Sequence, residues 1–202
     1  MARPVYIAFE GAEGCGKSTH SRLLAEALGA VATRETGGTP VGARLREILH
    51  DTSVLDLDDR AEALIVAADR AQHMAHVVRP ALDSGRSVVS DRSVYSTLAY
   101  QGYGRGLAIA ELRQLNDWAT GGLWPDLVIL LTVAPHVTAD RLVTRQLDRF
   151  EQAGNDFHQR VADGFSSMAS EDPQRWIVLD ASKPKADVAA AVLSAVRGRL
   201  GA

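Results

Sequence analysis

One cysteine in 202 residues, Cys15, excludes an internal disulfide and any zinc cluster built on thiolates. That usage suits a reducing compartment, so the cytoplasm is the default expectation. Aromatic residues are scarce at 5%, and there is no excess of positive charge: 22 Lys and Arg against 25 Asp and Glu give a net charge of −3. A broadly basic surface that grips a nucleic-acid backbone is thereby excluded, and any phosphate chemistry has to be local. Long apolar runs are missing too. The nearly apolar stretches at Leu127–Val133 and Ala189–Val196 fall far short of the ~18 or more residues that span a bilayer, so no membrane association is expected. Val5–Phe9 is too short for a signal-peptide core and runs into glycines instead of a cleavage site. Internal repeats, Pro/Gly/Ser linkers and compositional breaks are absent, which predicts one domain over 1–202.

What is present is 46% apolar and 23% charged sequence, an ordinary globular composition, in which short β-like runs alternate with helix-period runs. Val5–Phe9, Val31–Thr33, Ser87–Ser90, Leu127–Val133 and Trp176–Leu179 read as strands, several apolar on both faces as a buried parallel sheet requires. Lys17–Leu28, Val41–His50, Asp58–Asp83, Ile109–Ala119, His136–Thr144, Asp156–Ser170 and Lys185–Leu200 read as helices. The alternation predicts a doubly wound, five-stranded parallel α/β sheet with its ligand crevice at the carboxyl ends of the strands. Thr33–Pro40, with Gly37, Gly38 and Pro40, reads as a binding loop and Leu147–Asp156 as a mobile lid; ordinary surface loops are the alternative for both.

Gly11-Ala12-Glu13-Gly14-Cys15-Gly16-Lys17-Ser18 fits the G-x-x-x-x-G-K-[ST] phosphate loop, placed between a strand and a helix as that motif requires. Its glycines turn backbone N–H groups inward as an anion nest, Lys17 reaches the β- and γ-phosphates, and the Ser18 hydroxyl can ligate Mg²⁺. The helix that follows, with Thr19 in its first turn, adds its positive end. Asp91 closes the Ser87–Ser90 strand beside this loop, where it can hold the magnesium through a water, and Arg92 next to it projects toward the transferred phosphoryl group. Cys15, beside Lys17 and a helix N-terminus, is either a reactive, nucleotide-protected thiol or a small residue filling a tight loop.

The chain resembles the bacterial thymidylate (dTMP) kinases over nearly its whole length. The resemblance rests on residues 9–19 (FEGAEGCGKST), Thr33-Arg34-Glu35-Thr36-Gly37-Gly38-Thr39, residues 62–73 (EALIVAADRAQH), Asp91-Arg92, residues 99–106 (AYQGYGRG), Pro125-Asp126-Leu127, and Asp148-Arg149 with Glu151. It implies a P-loop nucleoside monophosphate kinase fold with phosphate loop 11–18, a monophosphate-binding region at about 34–106 and a lid at about 141–156. It also implies MgATP and dTMP as substrates and a homodimer as the assembly. By the same resemblance Gly11, Gly14, Cys15, Gly16, Lys17, Ser18 and Thr19 bind the ATP phosphates. Glu13, Glu35, Arg46, Val66, Arg70, Tyr100 and Gln101 line the dTMP site. Within it, Glu13 meets the 3′-hydroxyl, Arg46 and Arg92 the phosphate, Arg70 and Gln101 the thymine edge, and Tyr100 the C2′ position. Without the resemblance, the preferred readings are a helix-surface salt bridge to Asp69 or Glu62 for Arg70 and a loop hydrogen bond for Gln101. In the family it resembles, an arginine approaches the γ-phosphate from the phosphate loop or from the lid; with Cys15 before Gly16, the resemblance implies that the lid supplies it, from Arg145 or Arg149 with Arg141 behind them.

The chain also departs from the family pattern. Val66 stands where a stacking phenylalanine is usual, Thr36 where the Arg-Glu-Pro-Gly-Gly loop has proline, and Ser93 where an aromatic or histidine follows Asp91-Arg92. Two other functions remain compatible with the phosphate loop: a kinase of another small phosphate acceptor, and a nucleotide-dependent switch. The switch is disfavoured by the lack of an N-K-x-D guanine motif.

Overall fold

The computed structural model describes residues 3–54, 56–133, 148–150 and 152–201. Five strands, β1 (Tyr6–Glu10), β2 (Val31–Arg34), β3 (Val88–Asp91), β4 (Leu127–Thr132) and β5 (Trp176–Asp180), form one sheet in the order β2-β3-β1-β4-β5. Every pairing is parallel, as the strand–helix alternation predicts. Strand β4 shows why both faces are buried. Val128 and Leu130 join a cluster with Leu98, Phe157, Phe165 and Trp176, while Leu127, Ile129 and Leu131 join another with Ile7, Phe9, Leu24, Val192 and Val196. The second cluster is closed by α1 (Lys17–Leu28) and by α8 (Lys185–Leu200).

Helix starts follow local chemistry. Thr39 caps α2 (Pro40–His50), its hydroxyl accepting from Gly42 N at 3.0 Å with Pro40 in the first turn. Asp58 caps α3 (Asp59–His73), accepting from Arg60 N at 2.9 Å. The single helix predicted over Asp58–Asp83 is interrupted: α3 passes into a π-helical turn, Met74–Val78, before α4 (Arg79–Asp83). Pro80 explains the change, since it has no N–H for the α ladder, and the Arg79 N–H reaches back five residues to Met74 O.

A helical stretch at Val94–Gly104 was not predicted at all. It comprises α5 (Val94–Thr97) and a second π-helical segment, Leu98–Gly104. Gly102 and Gly104, which fall in none of the elements read from the sequence, serve close packing. A Cβ on Gly102 would lie 2.3 Å from Ile109 of α6 (Ile109–Thr120), and one on Gly104 would lie 2.5 Å from Phe157 of α7 (Asn155–Glu171). The π turn matters for function, because its wider winding lets the consecutive residues Tyr100 and Gln101 both line one cleft. The predicted helix His136–Thr144 lies outside the described residues.

Candidate active site

The carboxyl ends of β1, β2 and β3 open into a cleft of about 950 Å³. Strand register brings its parts together: Phe9 pairs with Asp91, and Asp91 with Arg34. At one end the phosphate loop leaves β1 and feeds α1, with Gly14 and Gly16 in left-handed conformations (φ 72° and 95°) that leave the loop amides free to face an anion. Lys17 is buried, its Nζ donating to Ala12 O at 2.7 Å. Burial and the Arg92 charge push its pKa down, but Cys15, Glu13 and Tyr100 outweigh them and hold it above the ordinary lysine value. Ser18 Oγ donates to Asp91 Oδ2. Asp91 Oδ1 is buried without a hydrogen-bond partner among the described residues, so a hydroxyl and an uncommitted carboxylate oxygen sit side by side. That donor set fits a hard cation that keeps most of its waters.

Cys15 resolves in favour of the space-filling reading. Its side chain is 1% exposed and packs in the apolar cluster with Ile7, Phe9 and Leu131.

Across the cleft, Arg92 follows β3 with φ 73°, the one left-handed non-glycine among the described residues. The backbone is held there by Arg92 N to Phe9 O at 2.9 Å and Ser90 Oγ to Arg92 O at 2.8 Å, a conformation that costs about 1–3 kcal/mol and aims the side chain. The guanidinium pairs with Glu13, donates to Tyr100 OH and Ser96 Oγ at 3.1 Å each, and lies 5.0 Å from the Tyr100 ring centroid. Arg46 Nη1 donates to Thr36 O and Oγ1 at 3.2 Å each, beside the cis Glu35–Thr36 peptide. Burial and the charges of Arg34 and Arg92 all depress Arg46, the signature of a positive cluster awaiting an anion. Arg34 was not singled out from the sequence; its place at the strand end opposite Asp91 was the available signal. Glu10 was also missed. Fully buried at the end of β1, it accepts from Ser93 Oγ at 2.7 Å and Ser96 Oγ at 2.6 Å, which gives the unusual Ser93 a role in fixing the turn after Arg92. Burial raises the Glu10 carboxyl, and Arg92 and the two serines only partly offset this.

The far end of the cleft is lined by Leu49, Val66, Arg70, Tyr100, Gln101 and Phe150. Arg70 is not on a helix surface; it is 1% exposed, and its ion-pair partner is Glu35. Nε donates to Glu35 Oε2 (2.8 Å), Nη1 to Thr97 Oγ1 (2.7 Å) and to Asn116 Oδ1, and Nη2 to Ser93 O (2.9 Å). A guanidinium has five N–H donors, so one on Nη2 is left over among the described residues. Glu35 also receives His73 Nδ1 at 2.8 Å, and His73 Nε2 meets Thr33 Oγ1 at 2.7 Å. Burial alone would raise the Glu35 carboxyl, but Arg70 and His73 reverse this and bring it to about 2. Gln101, in the π turn and not in a loop, donates Nε2 to Glu62 Oε1 at 2.7 Å and leaves Oε1 to the cleft.

Arg149, expected to approach the γ-phosphate, is turned toward the protein in this structure. Its Nη2 is bonded to buried Glu62 and its Nε to Leu49 O at 3.1 Å, and it is not among the residues lining the cleft. The neighbouring Asp148 Oδ2 meets His50 Nδ1 at 2.7 Å. Arg141, Arg145 and Glu151 lie outside the described residues, as does nearly all of the first half of the 141–156 lid.

A cleft that meets a phosphate chain at one end with loop amides, and a second anion at its middle with arginines, is shaped to bring two phosphates together. On a β2-β3-β1-β4-β5 sheet this places the chain in the P-loop nucleoside monophosphate kinase class. Comparison with known proteins narrows it. Residues 9–192 match the family model described as thymidylate kinase. The chain is 44% identical over 209 residues to the thymidylate kinase of Desulfovibrio desulfuricans, covering 97% of this chain and 96% of that protein. It is 47% identical over 202 residues to that of a Synechococcus species, with 97% of each covered. The crystal structure of thymidylate kinase from Ehrlichia chaffeensis superposes with a TM-score of 0.79 at 30% identity, over 98% of this chain and 100% of that one. The chain belongs to the thymidylate kinase family, and the switch reading is set aside.

Proposed function

We propose that the chain phosphorylates dTMP to dTDP with ATP, and that the cleft divides the work as its chemistry suggests. The phosphate loop and Lys17 hold the β- and γ-phosphates of ATP. Arg46 and Arg92, with Arg34 beside them, hold the dTMP phosphate, and Glu13 meets the sugar. A dTMP phosphate oxygen attacks the γ-phosphorus in line, the bond to the β,γ-bridging oxygen breaks, and ADP leaves; no protein nucleophile is required. Ser18 and Asp91 would hold Mg²⁺, which when bound neutralises charge on the phosphates. Arg145 and Arg149 are the candidates for the γ-phosphate, Arg149 only once it leaves Glu62.

The observation that carries the reading is at the base end, where one spare Arg70 N–H and the free Gln101 Oε1 present a donor beside an acceptor. Thymine offers the complement, O4 and N3–H. The whole chain acts as a single kinase domain in the cytoplasm, where both substrates occur. Homodimerisation is supported by exposed Val41 and Ile48 on α2 and Leu64 on α3, three apolar side chains on adjacent packed helices. A steady-state screen of nucleoside monophosphates with MgATP, following ADP, tests the reading: dTMP gives the highest kcat/KM, and a higher value with any other acceptor overturns it.

A further inference from the structure

Arg70 can only donate, whatever base enters, because a guanidinium has no acceptor. Gln101 is different. Its amide carries an acceptor and a donor on either side of one rotatable bond, and turned over it would present N–H to the cleft. It would then suit cytosine, whose N3 is an acceptor, where thymine has N3–H. Something must decide which side faces the base.

We propose that Glu62 is that element, a positioning residue that locks the Gln101 amide and so sets the preference for bases carrying N3–H. This rests on the dTMP reading above. Glu62 lies in the first turn of α3, fully buried, and its carboxylate can only accept. Gln101 Nε2 donates to it at 2.7 Å; turned over, the amide would set oxygen against carboxylate oxygen, leaving two buried acceptors face to face. The carboxylate itself is secured from two sides. Arg105 Nη2, at the end of the π turn, reaches Oε2 at 3.1 Å, and Arg149 Nη2 reaches the same oxygen. Two guanidinium groups let a carboxylate sit at zero exposure, where a lone one would carry a large desolvation cost. Glu62 lines no part of the cleft, so its effect on the base passes through Gln101. The arrangement works by penalising the wrong base, since an immovable acceptor opposite cytosine N3 leaves two lone pairs opposed.

The test compares kcat/KM for dTMP, dUMP and dCMP in the wild-type enzyme and in Glu62→Gln. A glutamine at 62 can donate or accept, which frees Gln101 to turn. The expected result is a fall in the dTMP:dCMP ratio by about tenfold or more, with the dTMP:dUMP ratio unchanged within about twofold because thymine and uracil share the O4 and N3–H edge. A dTMP:dCMP ratio that stays put, or both ratios falling together as a general loss of pocket shape would produce, overturns the proposal. A wild-type enzyme with no preference for dTMP over dCMP instead overturns the dTMP reading. If Glu62→Gln does not fold, nitrogen-15 NMR of the wild-type enzyme decides: a Gln101 side-chain N–H held on Glu62 exchanges with solvent about tenfold or more slowly than that of free glutamine, and exchange at the free rate overturns the assignment.

Discussion

The two ends of the cleft recognise their ligands by opposite means. In the proposed reading the phosphate end is eight consecutive residues whose backbone amides and one lysine meet charge, and from the rest of the sheet it takes little more than Asp91, at the end of β3, beside Ser18. The base end is assembled from β2, α3 and the 94–104 helical stretch, and most of its polar atoms are already hydrogen-bonded to one another: Arg70 to Glu35, Thr97, Asn116 and Ser93, and Gln101 to Glu62. Phosphates are alike in every nucleotide and can be met by groups that any sequence possesses. A base has to be told from its near relatives, and that takes side chains whose free donors and acceptors are fixed by what the others are already doing.

This contrast can be broken in graded steps. The most damaging single change is expected between the two ends. Arg92→Ala removes the guanidinium facing the transferred group and should lower kcat by about 10³-fold, the scale of losing a transition-state arginine, measured by steady-state turnover with saturating MgATP and dTMP. Near-normal turnover would remove Arg92 from the mechanism.

At the base end the next effect is on stability. The Glu35 carboxyl sits at about 2 against an ordinary 4.5, so its contribution is fully present above pH 4.5 and is lost as the pH falls toward 2. The shift corresponds to about 3 kcal/mol. Denaturant unfolding of Glu35→Gln should show a deficit of that order at pH 7 that closes at acid pH. A deficit constant with pH would mean the cost is packing and not charge.

Stacking comes third. Val66 offers no ring, while Phe150 and Tyr100 line the same end of the cleft edge to face, 6.0 Å between centroids. Val66→Phe should lower the KM for dTMP by roughly 5- to 150-fold, the range for one base–aromatic stack, with kcat little changed. A KM unchanged or raised would show that Phe150 and Tyr100 already supply the platform. In that case Phe150→Ala should raise the KM about fivefold or more.

The smallest effect belongs to the phosphate end. Iodoacetamide should leave activity intact over hours whether or not MgATP is present, because Cys15 is sealed in the core. Inactivation that MgATP prevents would revive the reactive-thiol alternative.

The same contrast governs what the sequence could reveal. The phosphate loop was legible because its chemistry is contiguous, and the strands were legible within a residue or two because both-face burial writes itself into β4 as Leu127-Val128-Ile129-Leu130-Leu131. The base end was legible only through family resemblance. Arg70 looked like a surface ion-pair residue, since nothing within α3 announces that Glu35, from the loop after β2, will reach it. The helical stretch around Gly102 and Gly104 was not predicted, because a glycine that admits Ile109 or Phe157 is indistinguishable, in one dimension, from one that bends the chain. Pro80 was passed over in reading Asp58–Asp83 as one helix, because the apolar spacing continues across it while the winding widens. Glu10 and Arg34 escaped notice, and Glu62 was read only as a possible partner of Arg70, because their partners lie 39 or more positions away.

A lone thiol buried beneath the phosphate loop also has a practical side. A second cysteine introduced by mutation on the solvent side, at Ser53 for instance, would be the single site accessible to a maleimide dye under native conditions, with no need to delete the original sulfur and disturb the packing around it. Any movement of that surface on adding nucleotides can therefore be followed by fluorescence in the unaltered catalytic framework.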